Sequence, residues 1–420
     1  MKSSSLSRNA LSICMGAVLL SGCGALRQAQ DDVPPIGAPG VTQQSVSATA
    51  PESSSYQLVY SFAGGSDGSG PYAGLINEHG TLYGTTVGGG ADGYGTVFSV
   101  TMTGEEKVLH PFSGSPADGA APYGGLIDVN GTLYGTTFYG GAHGYGTYYP
   151  AGTVFSVTTT GNEKLLHSFG YSYVYEYGPY ADLIDVKGTL YGTTYDGGVY
   201  YGGTVFSVTT AGREKVVHGF GYGTDGSQPI AGLLNVKGVL YGTTPTGGAN
   251  EIGTVFSLTT AGAERVTHSF SGGPTDGENP NAALINVKGI LYGTASTGGR
   301  HNAGTVFRIT TSGKETTLYS FCSKRKCVDG SNPEASLIDV NGTLYGTTFY
   351  GGRYSCSGSH LCGTVFSLTM SGKETALHSF GGSGDGVNPN AGLIDLNGTL
   401  YGTTTSGGAY GAGTVFAFTP

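Results

Sequence analysis

The sequence lacks tryptophan, carries little charge and shows no helical periodicity. None of its 420 residues is Trp and only 11% are charged, whereas roughly a quarter of the residues in an ordinary globular domain are charged. No segment has the i, i+3, i+4 spacing of apolar residues that an amphipathic helix requires, which argues against a helical fold. The net charge of −9 gives no electrostatic reason to expect nucleic acid as a partner. We therefore predict a non-helical protein without a nucleic-acid ligand.

Glycine and tyrosine are abundant instead. The chain has 78 Gly and 29 Tyr, and 38% of its residues are hydrophobic. Val, Phe, Leu and Tyr recur in register between glycines, which is typical of short strands joined by tight turns rather than of a disordered chain.

Two four-residue motifs each occur seven times. Leu-Tyr-Gly-Thr begins at residues 82, 133, 190, 240, 291, 344 and 400, and Gly-Thr-Val-Phe begins at residues 95, 152, 203, 253, 304, 363 and 413. Their spacing of 50 to 59 residues falls in the range of propeller blades. Each unit contains four strand-like runs bounded by Gly or Asn, which we name strands A to D. The sequence thus predicts an all-β fold, a seven-bladed β-propeller of four-stranded antiparallel blades.

The two ends of the repeat region predict how the ring closes. The last unit stops at strand C, within Gly413–Pro420, whereas Tyr56–Phe62 matches strand D of the other units. The D strands equal the A–B–C sets in number only if the N-terminal strand completes the last blade. Such closure removes a free sheet edge.

The N-terminal segment has the features of a targeting signal. Lys2 and Arg8 accompany an apolar stretch over residues 10–20, which is too short to span a bilayer. The stretch ends in Leu20-Ser21-Gly22-Cys23, which resembles a bacterial lipobox with Cys23 as the lipidated residue. A plain signal peptide and an uncleaved anchor are the alternatives. Gly24, where an inner-membrane retention signal usually has Asp, favours the outer membrane.

These features divide the chain into three parts. We predict a lipoprotein signal peptide over residues 1–22, a lipidated cysteine and flexible tether over 23–55, and the propeller over 56–420. The tether assignment depends on a composition rich in Ser, Ala, Gln and Pro. We expect a monomer attached by its lipid to the bacterial cell envelope, at the outer membrane or cell surface.

With their L-Y-G-T-T, G-G and G-T-V-F elements, the units over residues 56–420 resemble the GloVer tandem-repeat family of bacterial surface proteins. The resemblance implies a location at the bacterial surface and no particular activity. The strand order also resembles that of pyrroloquinoline-quinone-type propeller repeats. The tryptophan typical of those repeats is missing here, so we predict no cofactor.

Polar residues that recur from unit to unit are interpreted as structural. The histidines of strand D should spread around the perimeter and not converge on one ion, so we predict no metal site. The Asp-Gly pairs in the D–A connections favour turns over calcium loops, because each copy offers one carboxylate. The Asp or Asn of strand A either caps the following turn or forms a polar ring in the central channel. The three sets are His110, His167, His218, His268 and His378; Asp67, Asp118, Asp225, Asp276, Asp329 and Asp385; and Asn77, Asp128, Asp185, Asn235, Asn286, Asp339 and Asp395.

Departures from the repeat concentrate in the B–C and D–A connections, which emerge on one face of a four-stranded blade, here called the top. Tyrosines in these loops of blades 2 and 3 should form one patch, whose flat apolar rings and hydroxyls suit a glycan, a peptide or a protein. Packing of the tyrosines on one another is the alternative. The predicted binding residues are Tyr145, Tyr148, Tyr149, Tyr173, Tyr175, Tyr177, Tyr200 and Tyr201, and the same loops hold Tyr139, Tyr171, Tyr180 and Tyr195.

A second cluster over blades 5 and 6 is basic. It is a candidate site for an anionic polymer or a carboxylated sugar, with an ordinary solvated surface as the alternative. Its residues are Arg300, His301, Lys324, Arg325, Lys326, Arg353 and His360. Four cysteines accompany it, and export together with an even count favours disulfides over zinc. Pairing of Cys322, Cys327, Cys356 and Cys362 within each loop or between the two loops is left open.

The hypothesis that follows is a non-enzymatic envelope lipoprotein whose top-face loops recognise an extracellular glycan or protein. No nucleophile elbow, metal-binding motif or phosphate-cradling motif occurs, so no catalytic residue is assigned. A lyase-like propeller enzyme with His301 or His360 beside an arginine is the alternative, and it depends on fold analogy alone.

Overall fold

The computed structural model describes residues 56–142, 152–170, 178–356 and 362–420. These residues form seven four-stranded antiparallel sheets arranged as the blades of a β-propeller, which confirms the predicted fold class. The A strands of neighbouring blades contact one another around the axis, and strand D is the outer strand of each sheet. In this part of the chain no helix has the length and hydrophobicity that crossing a membrane requires.

The blades are built from the following strands, given in the order of blades 1 to 7. Strand A comprises Ile76–Glu78, Ile127–Val129, Ile184–Val186, Leu234–Val236, Ile285–Val287, Ile338–Val340 and Ile394–Leu396. Strand B comprises Thr81–Thr86, Thr132–Thr137, Thr189–Thr194, Val239–Thr244, Ile290–Ala295, Thr343–Thr348 and Thr399–Thr404. Strand C comprises Thr96–Thr101, Thr153–Thr158, Thr204–Thr209, Thr254–Thr259, Thr305–Thr310, Thr364–Thr369 and Thr414–Phe418. Strand D comprises Glu106–Pro111, Glu163–Ser168, Glu214–Gly219, Glu264–Ser269, Glu315–Ser320, Glu374–Ser379 and Tyr56–Ser61.

Short elements join the top loops of several blades. The D–A and B–C connections pair as two-stranded ribbons, Gly68–Ser69 with Gly88–Gly89, Gly119–Ala120 with Tyr139–Gly140, Gly226–Ser227 with Thr246–Gly247, Gly277–Glu278 with Thr297–Gly298, and Gly386–Val387 with Ser406–Gly407. Two 3₁₀ turns, Gly273–Thr275 and Arg325–Cys327, lie in D–A connections.

The A–B hairpins explain the recurrent polar residue of strand A. In blade 4 the two loop residues, Lys237 and Gly238, have φ values of 53° and 88°, as a type I′ turn requires. The side chain of Asn235 accepts a hydrogen bond from the backbone N–H of Gly238 at 2.9 Å. Equivalent bonds are made by Asn77, Asp185, Asn286, Asp339 and Asp395. Turn capping is therefore confirmed in these six blades, and the alternative of a polar channel ring is wrong for them because the side chains are bound to the turns.

Phenylalanine pairs join neighbouring blades. The Phe after strand D of one blade packs edge-to-face on the Phe of strand C in the next, as Phe220 does on Phe256 with ring centroids 5.0 Å apart. All seven boundaries have such a pair, at 4.9 to 5.2 Å, a geometry that is favourable beyond the burial of apolar area. The Gly of Leu-Tyr-Gly-Thr makes room for these rings, because a Cβ atom at Gly84 would lie 2.7 Å from Cζ of Phe98.

The N-terminal strand closes the ring as predicted. Tyr56–Ser61 pairs antiparallel with Thr414–Phe418, which completes blade 7. The next residue, Phe62, donates its backbone N–H to the carbonyl of Gly413 at 3.0 Å. Its fully buried ring then contacts Phe98 of blade 1. The two ends of the described chain are thus held in one sheet.

Candidate functional site

The D–A connection of every blade ends at the mouth of the central channel. There a proline is followed by a residue that lines one cavity of about 140 Å³, to which all seven blades contribute. In the order of blades 1 to 7 these residues are Tyr72, Tyr123, Tyr180, Ile230, Asn281, Glu334 and Asn390. Three tyrosines therefore line one side of the channel mouth, and an acid flanked by two amides lines the other.

Buried threonines of the repeat hold the backbone of this segment. Thr403 in strand B of blade 7 donates its hydroxyl to the carbonyl of Ala73, next to Tyr72, at 3.1 Å. The other six blade boundaries have the equivalent bond at 3.0 to 3.3 Å, and each of the seven threonines is 1% exposed. The fourth residue of Leu-Tyr-Gly-Thr thus fixes the channel-lining segment of the next blade, while the residue after the proline is free to vary.

The three tyrosines form one aromatic cluster. Tyr123 and Tyr180 are stacked with centroids 4.7 Å apart and planes 12° apart. Tyr72 meets both edge-on, at 5.2 Å and 5.9 Å. Burial raises the pKa of all three phenols, so they stay protonated at neutral pH and offer hydroxyl groups for hydrogen bonding.

The polar side of the mouth holds groups that are incompletely satisfied within the protein. Desolvation by burial raises the pKa of Glu334 to about 7, so its carboxyl group can donate or accept a hydrogen bond near neutral pH. The Tyr72 hydroxyl interacts with the side chains of Tyr180 and Asn390. The Asn390 Oδ1 atom is buried without a hydrogen-bond partner. Buried acceptors usually have partners, so this atom marks the cavity as a place where a donor is missing.

A second acid lies deeper along the same chain segment. Two residues after the variable position, the blades carry Gly74, Gly125, Asp182, Gly232, Ala283, Ser336 and Gly392. Asp182 is the one charged residue of this set, and it accepts a hydrogen bond from the backbone N–H of Gly125 in blade 2. Asp182 lines the cavity of the channel. Desolvation of its carboxyl group at this place raises its pKa.

This arrangement suits a small polar molecule that also has an apolar face. Aromatic rings present flat apolar surfaces, and the carboxyl and amide groups opposite them provide both donors and acceptors. The cavity is smaller than the ~300–1,000 Å³ of sites for drug-sized ligands. It therefore fits a single small ring or the terminal group of a longer chain.

Comparison with known proteins identifies the family of the repeat. Residues 41–151, 148–359 and 329–420 match the Gloeobacter/Verrucomicrobia repeat. The chain belongs to this repeat family. A comparison with curated protein sequences found no match.

Two solved structures are similar to this chain at low sequence identity. A gluconolactonase of Xanthomonas campestris is 13% identical with a TM-score of 0.39, over 64% of this chain and 79% of that chain. A candidate 6-phosphogluconolactonase of Bacteroides uniformis is 14% identical with a TM-score of 0.47, over 78% of this chain and 88% of that chain. At these values the likeness supports no conclusion about this chain.

The channel mouth was missed by the sequence analysis, although the Gloeobacter/Verrucomicrobia repeat carries a signal for it. Within a repeat whose neighbouring residues are nearly constant, the position after the proline changes from Tyr in three blades to Asn or Glu in three others. A position of this kind breaks the symmetry of the ring. Long insertions are the more obvious departures from the repeat, whereas this signal is a single variable position in a short connection.

The predicted tyrosine patch lies mostly outside the described residues, which exclude Tyr145, Tyr148, Tyr149, Tyr173, Tyr175 and Tyr177. Tyr200 and Tyr201 are about half exposed, at 49% and 52%. Tyr200 contacts Tyr222 with ring centroids 5.0 Å apart. Tyr180, which the sequence groups with these loops, lines the cavity of the central channel instead.

The residues of the predicted basic cluster have different environments. Arg300 and His301 are exposed and line an open groove beside strand D of blade 5. Lys324 forms an ion pair with Glu374 of blade 6 at 2.6 Å. Arg325, Lys326 and Arg353 are exposed, and His360 lies outside the described residues. Disulfides join Cys322 to Cys327 and Cys356 to Cys362, so each bridge lies within one loop.

The aspartates of the Asp-Gly pairs bind their own turns. Asp225, for example, accepts a hydrogen bond from the N–H of Gly226 at 2.8 Å, as the predicted turn role requires. Its other carboxylate oxygen lies 3.1 Å from Nε2 of His218 in strand D. The sequence did not predict this pairing of strand D with the D–A turn.

Proposed function

We propose that this protein is a binding module of the bacterial cell envelope whose propeller recognises a neutral or amino sugar at the mouth of its central channel. The sugar is the terminal residue of an extracellular glycan. The observation that carries the proposal is the asymmetric ring after the prolines, with tyrosines on one side and Asn281, Glu334 and Asn390 on the other.

The geometry supports this ligand class in two ways. The C–H face of a sugar ring is apolar and matches the tyrosine cluster that lines the cavity, while its hydroxyls match the amide and carboxyl groups across the channel. The two acids of the channel, Glu334 and Asp182, disfavour an anionic ligand because like charges repel in an enclosed site. An amino sugar would instead gain a charge-assisted hydrogen bond.

Isothermal titration calorimetry with a panel of neutral, amino and acidic sugars and short oligosaccharides tests the proposal. We expect the intact protein to bind neutral or amino sugars, and Glu334→Gln or Tyr123→Ala to weaken binding about 10- to 100-fold, which corresponds to ~1.4–3 kcal/mol for a lost charged hydrogen bond or aromatic contact. The matched control is Tyr200→Ala, which removes a half-exposed tyrosine outside the channel. Binding lost in the control but retained in the channel variants would reject the channel mouth in favour of the outer loops.

A glycan-cleaving activity is the second candidate, and the raised pKa of Glu334 favours it. A carboxyl group with a pKa of about 7 can act as a general acid at neutral pH. The same panel, followed by chromatography of the products, separates the two candidates. Release of a sugar by the intact protein but not by Glu334→Gln would identify an enzyme, and recovery of unchanged sugar would identify a binding module.

The envelope location is a proposal from the N-terminal segment. Export and lipidation at Cys23 account for the apolar stretch and the lipobox-like residues before it. We expect Cys23→Ser to leave the protein unlipidated, which mass spectrometry of the membrane fraction detects. A mass difference no larger than the exchange of sulfur for oxygen at residue 23 would exclude the lipid anchor.

A further inference from the structure

The boundary between two blades brings together three metal-binding side chains on the perimeter. At the boundary of blades 3 and 4, Nε2 of His218 lies 3.1 Å from Oδ2 of Asp225, and Glu264 from strand D of blade 4 approaches both. One ligand atom from each of these residues lies within 4.8 Å of the other two. The group therefore contains a nitrogen and two carboxylate oxygens from two adjacent blades.

The same triad occurs at two further boundaries. His110, Asp118 and Glu163 meet between blades 1 and 2, and His268, Asp276 and Glu315 meet between blades 4 and 5. At the remaining boundaries the triad is incomplete in sequence. Between blades 2 and 3, Tyr175 occupies the sequence position of the aspartate. Tyrosine replaces the histidine at residue 60, between blades 7 and 1, and at residue 319, between blades 5 and 6. Between blades 6 and 7, Tyr56 replaces the glutamate.

One incomplete boundary shows which kind of partner the buried glutamate accepts. Between blades 5 and 6 the histidine is replaced by Tyr319, and the ammonium group of Lys324 bonds to Glu374 at 2.6 Å. The Glu374 side chain is completely buried. The chain itself thus supplies a cation where the triad has lost its histidine.

The triads lack such a built-in cation. The Oε1 atoms of Glu163 and Glu264 are buried and have no hydrogen-bond partner. A bound cation would satisfy these atoms.

We propose that the three His–Asp–Glu triads each bind one Zn²⁺ ion between adjacent blades, with water completing the coordination. One imidazole and two carboxylates suit zinc, whereas calcium prefers oxygen ligands alone. Ligands ~2.1 Å from a tetrahedral ion lie about 3.4 Å apart, and the histidine and aspartate atoms are already 3.0 to 3.3 Å apart. Only the glutamate must approach, by up to about 1.4 Å on the same geometry. The ion would join strand D of one blade to strand D of the next.

Equilibrium dialysis of the purified protein against Zn²⁺, with the bound metal counted by atomic emission, tests the inference. We expect about three ions per chain, in line with three complete triads. Glu163→Gln, Glu264→Gln and Glu315→Gln should each remove one ion, because the amide replaces an anionic ligand in one triad. The control Glu214→Gln changes the equivalent glutamate at the boundary without the aspartate, and it should leave the count unchanged.

Thermal melting gives a second readout that does not depend on counting ions. Zn²⁺ should raise the melting temperature of the intact protein, since an ion that binds only the folded state stabilises it, and the rise should shrink in each triad variant. A far-UV circular dichroism spectrum shows whether a variant is folded, and His218→Asn replaces Glu264→Gln if the latter is not. No retained zinc, or a zinc count that the triad variants do not change, would overturn the inference. The result is independent of sugar binding, because the triads lie on the perimeter and not in the channel.

Discussion

Ring closure by the N-terminal strand can be tested at Phe62. This residue follows the closing strand, its side chain is fully buried, and its ring packs edge-to-face on Phe98 with centroids 5.0 Å apart. Phe220 occupies the equivalent position between blades 3 and 4, with the same burial and the same 5.0 Å separation from Phe256. The two sites differ in one respect, since Phe62 is held in place only if the first strand completes the last blade.

The expected cost is the same at both sites. Truncation of a buried Phe to Ala removes its transfer free energy and leaves a cavity, at a cost of about 3–5 kcal/mol. We therefore expect Phe62→Ala and Phe220→Ala to lower the free energy of unfolding by similar amounts. Urea denaturation followed by near-UV circular dichroism measures both, and an unchanged m-value would show that both variants unfold as one unit.

The comparison of these two variants distinguishes a ring closed by the first strand from an open one. If the first strand were detached in solution, Phe62 would lack its partner in blade 1 and its truncation would cost less than about 1 kcal/mol, as at other exposed sites. Phe220→Ala would still lose the full amount. A small loss at Phe62 together with a large loss at Phe220 would refute the closure of the ring.

Three further predictions address single side chains. Glu334→Gln should stabilise the protein above pH 7 and not below pH 4. The pKa of Glu334 in the folded state is about 7, above the ordinary value of 4.5. The contribution of Glu334 to stability is therefore full below pH 4.5 and is lost as the pH rises through 7, by up to about 3 kcal/mol. Melting curves of the variant and the intact protein at pH 4 and pH 8 check this, and an equal difference at both pH values would exclude it. Gly84→Ala should cost about 1–3 kcal/mol in urea denaturation, because the added Cβ would lie 2.7 Å from the Phe98 ring; a neutral effect would show that the blades can move apart. Lys324→Met should cost about 2–3 kcal/mol because it leaves the buried Glu374 carboxylate without its cation, and Glu374→Gln in the same chain should restore most of the loss if the pair acts as described.

Much of the architecture could be predicted because each blade repeats the same local pattern. Strand B of blade 4, Val239–Thr244, follows from a short run of β-branched and aromatic residues bounded by Gly238. The glycine also suits the two-residue turn at Lys237-Gly238. The closing strand followed from counting units. These features depend on residues close together in the chain, or on a count, and need no knowledge of which side chains meet.

The candidate site could not be predicted in the same way. Tyr72 and Glu334 are more than 250 residues apart in the sequence, and they line one cavity only because the ring brings every D–A connection to the axis. His218 and Glu264 belong to different blades, so no local spacing in the sequence indicates that both approach Asp225. Along the sequence each Asp-Gly turn therefore offers a single carboxylate, which does not indicate a metal site.

The number of blades, the order of strands and the closure can be predicted from the sequence, because they depend on short β-branched and aromatic runs, turn residues and the repeat count. The roles of the variable positions depend instead on contacts between blades in the folded ring. Ring symmetry makes seven equivalent positions converge at the axis and places each strand D against the turn of its neighbour. Small departures from the repeat, such as Tyr to Glu at the channel or His to Tyr at the perimeter, then become sites whose chemistry depends on several blades at once.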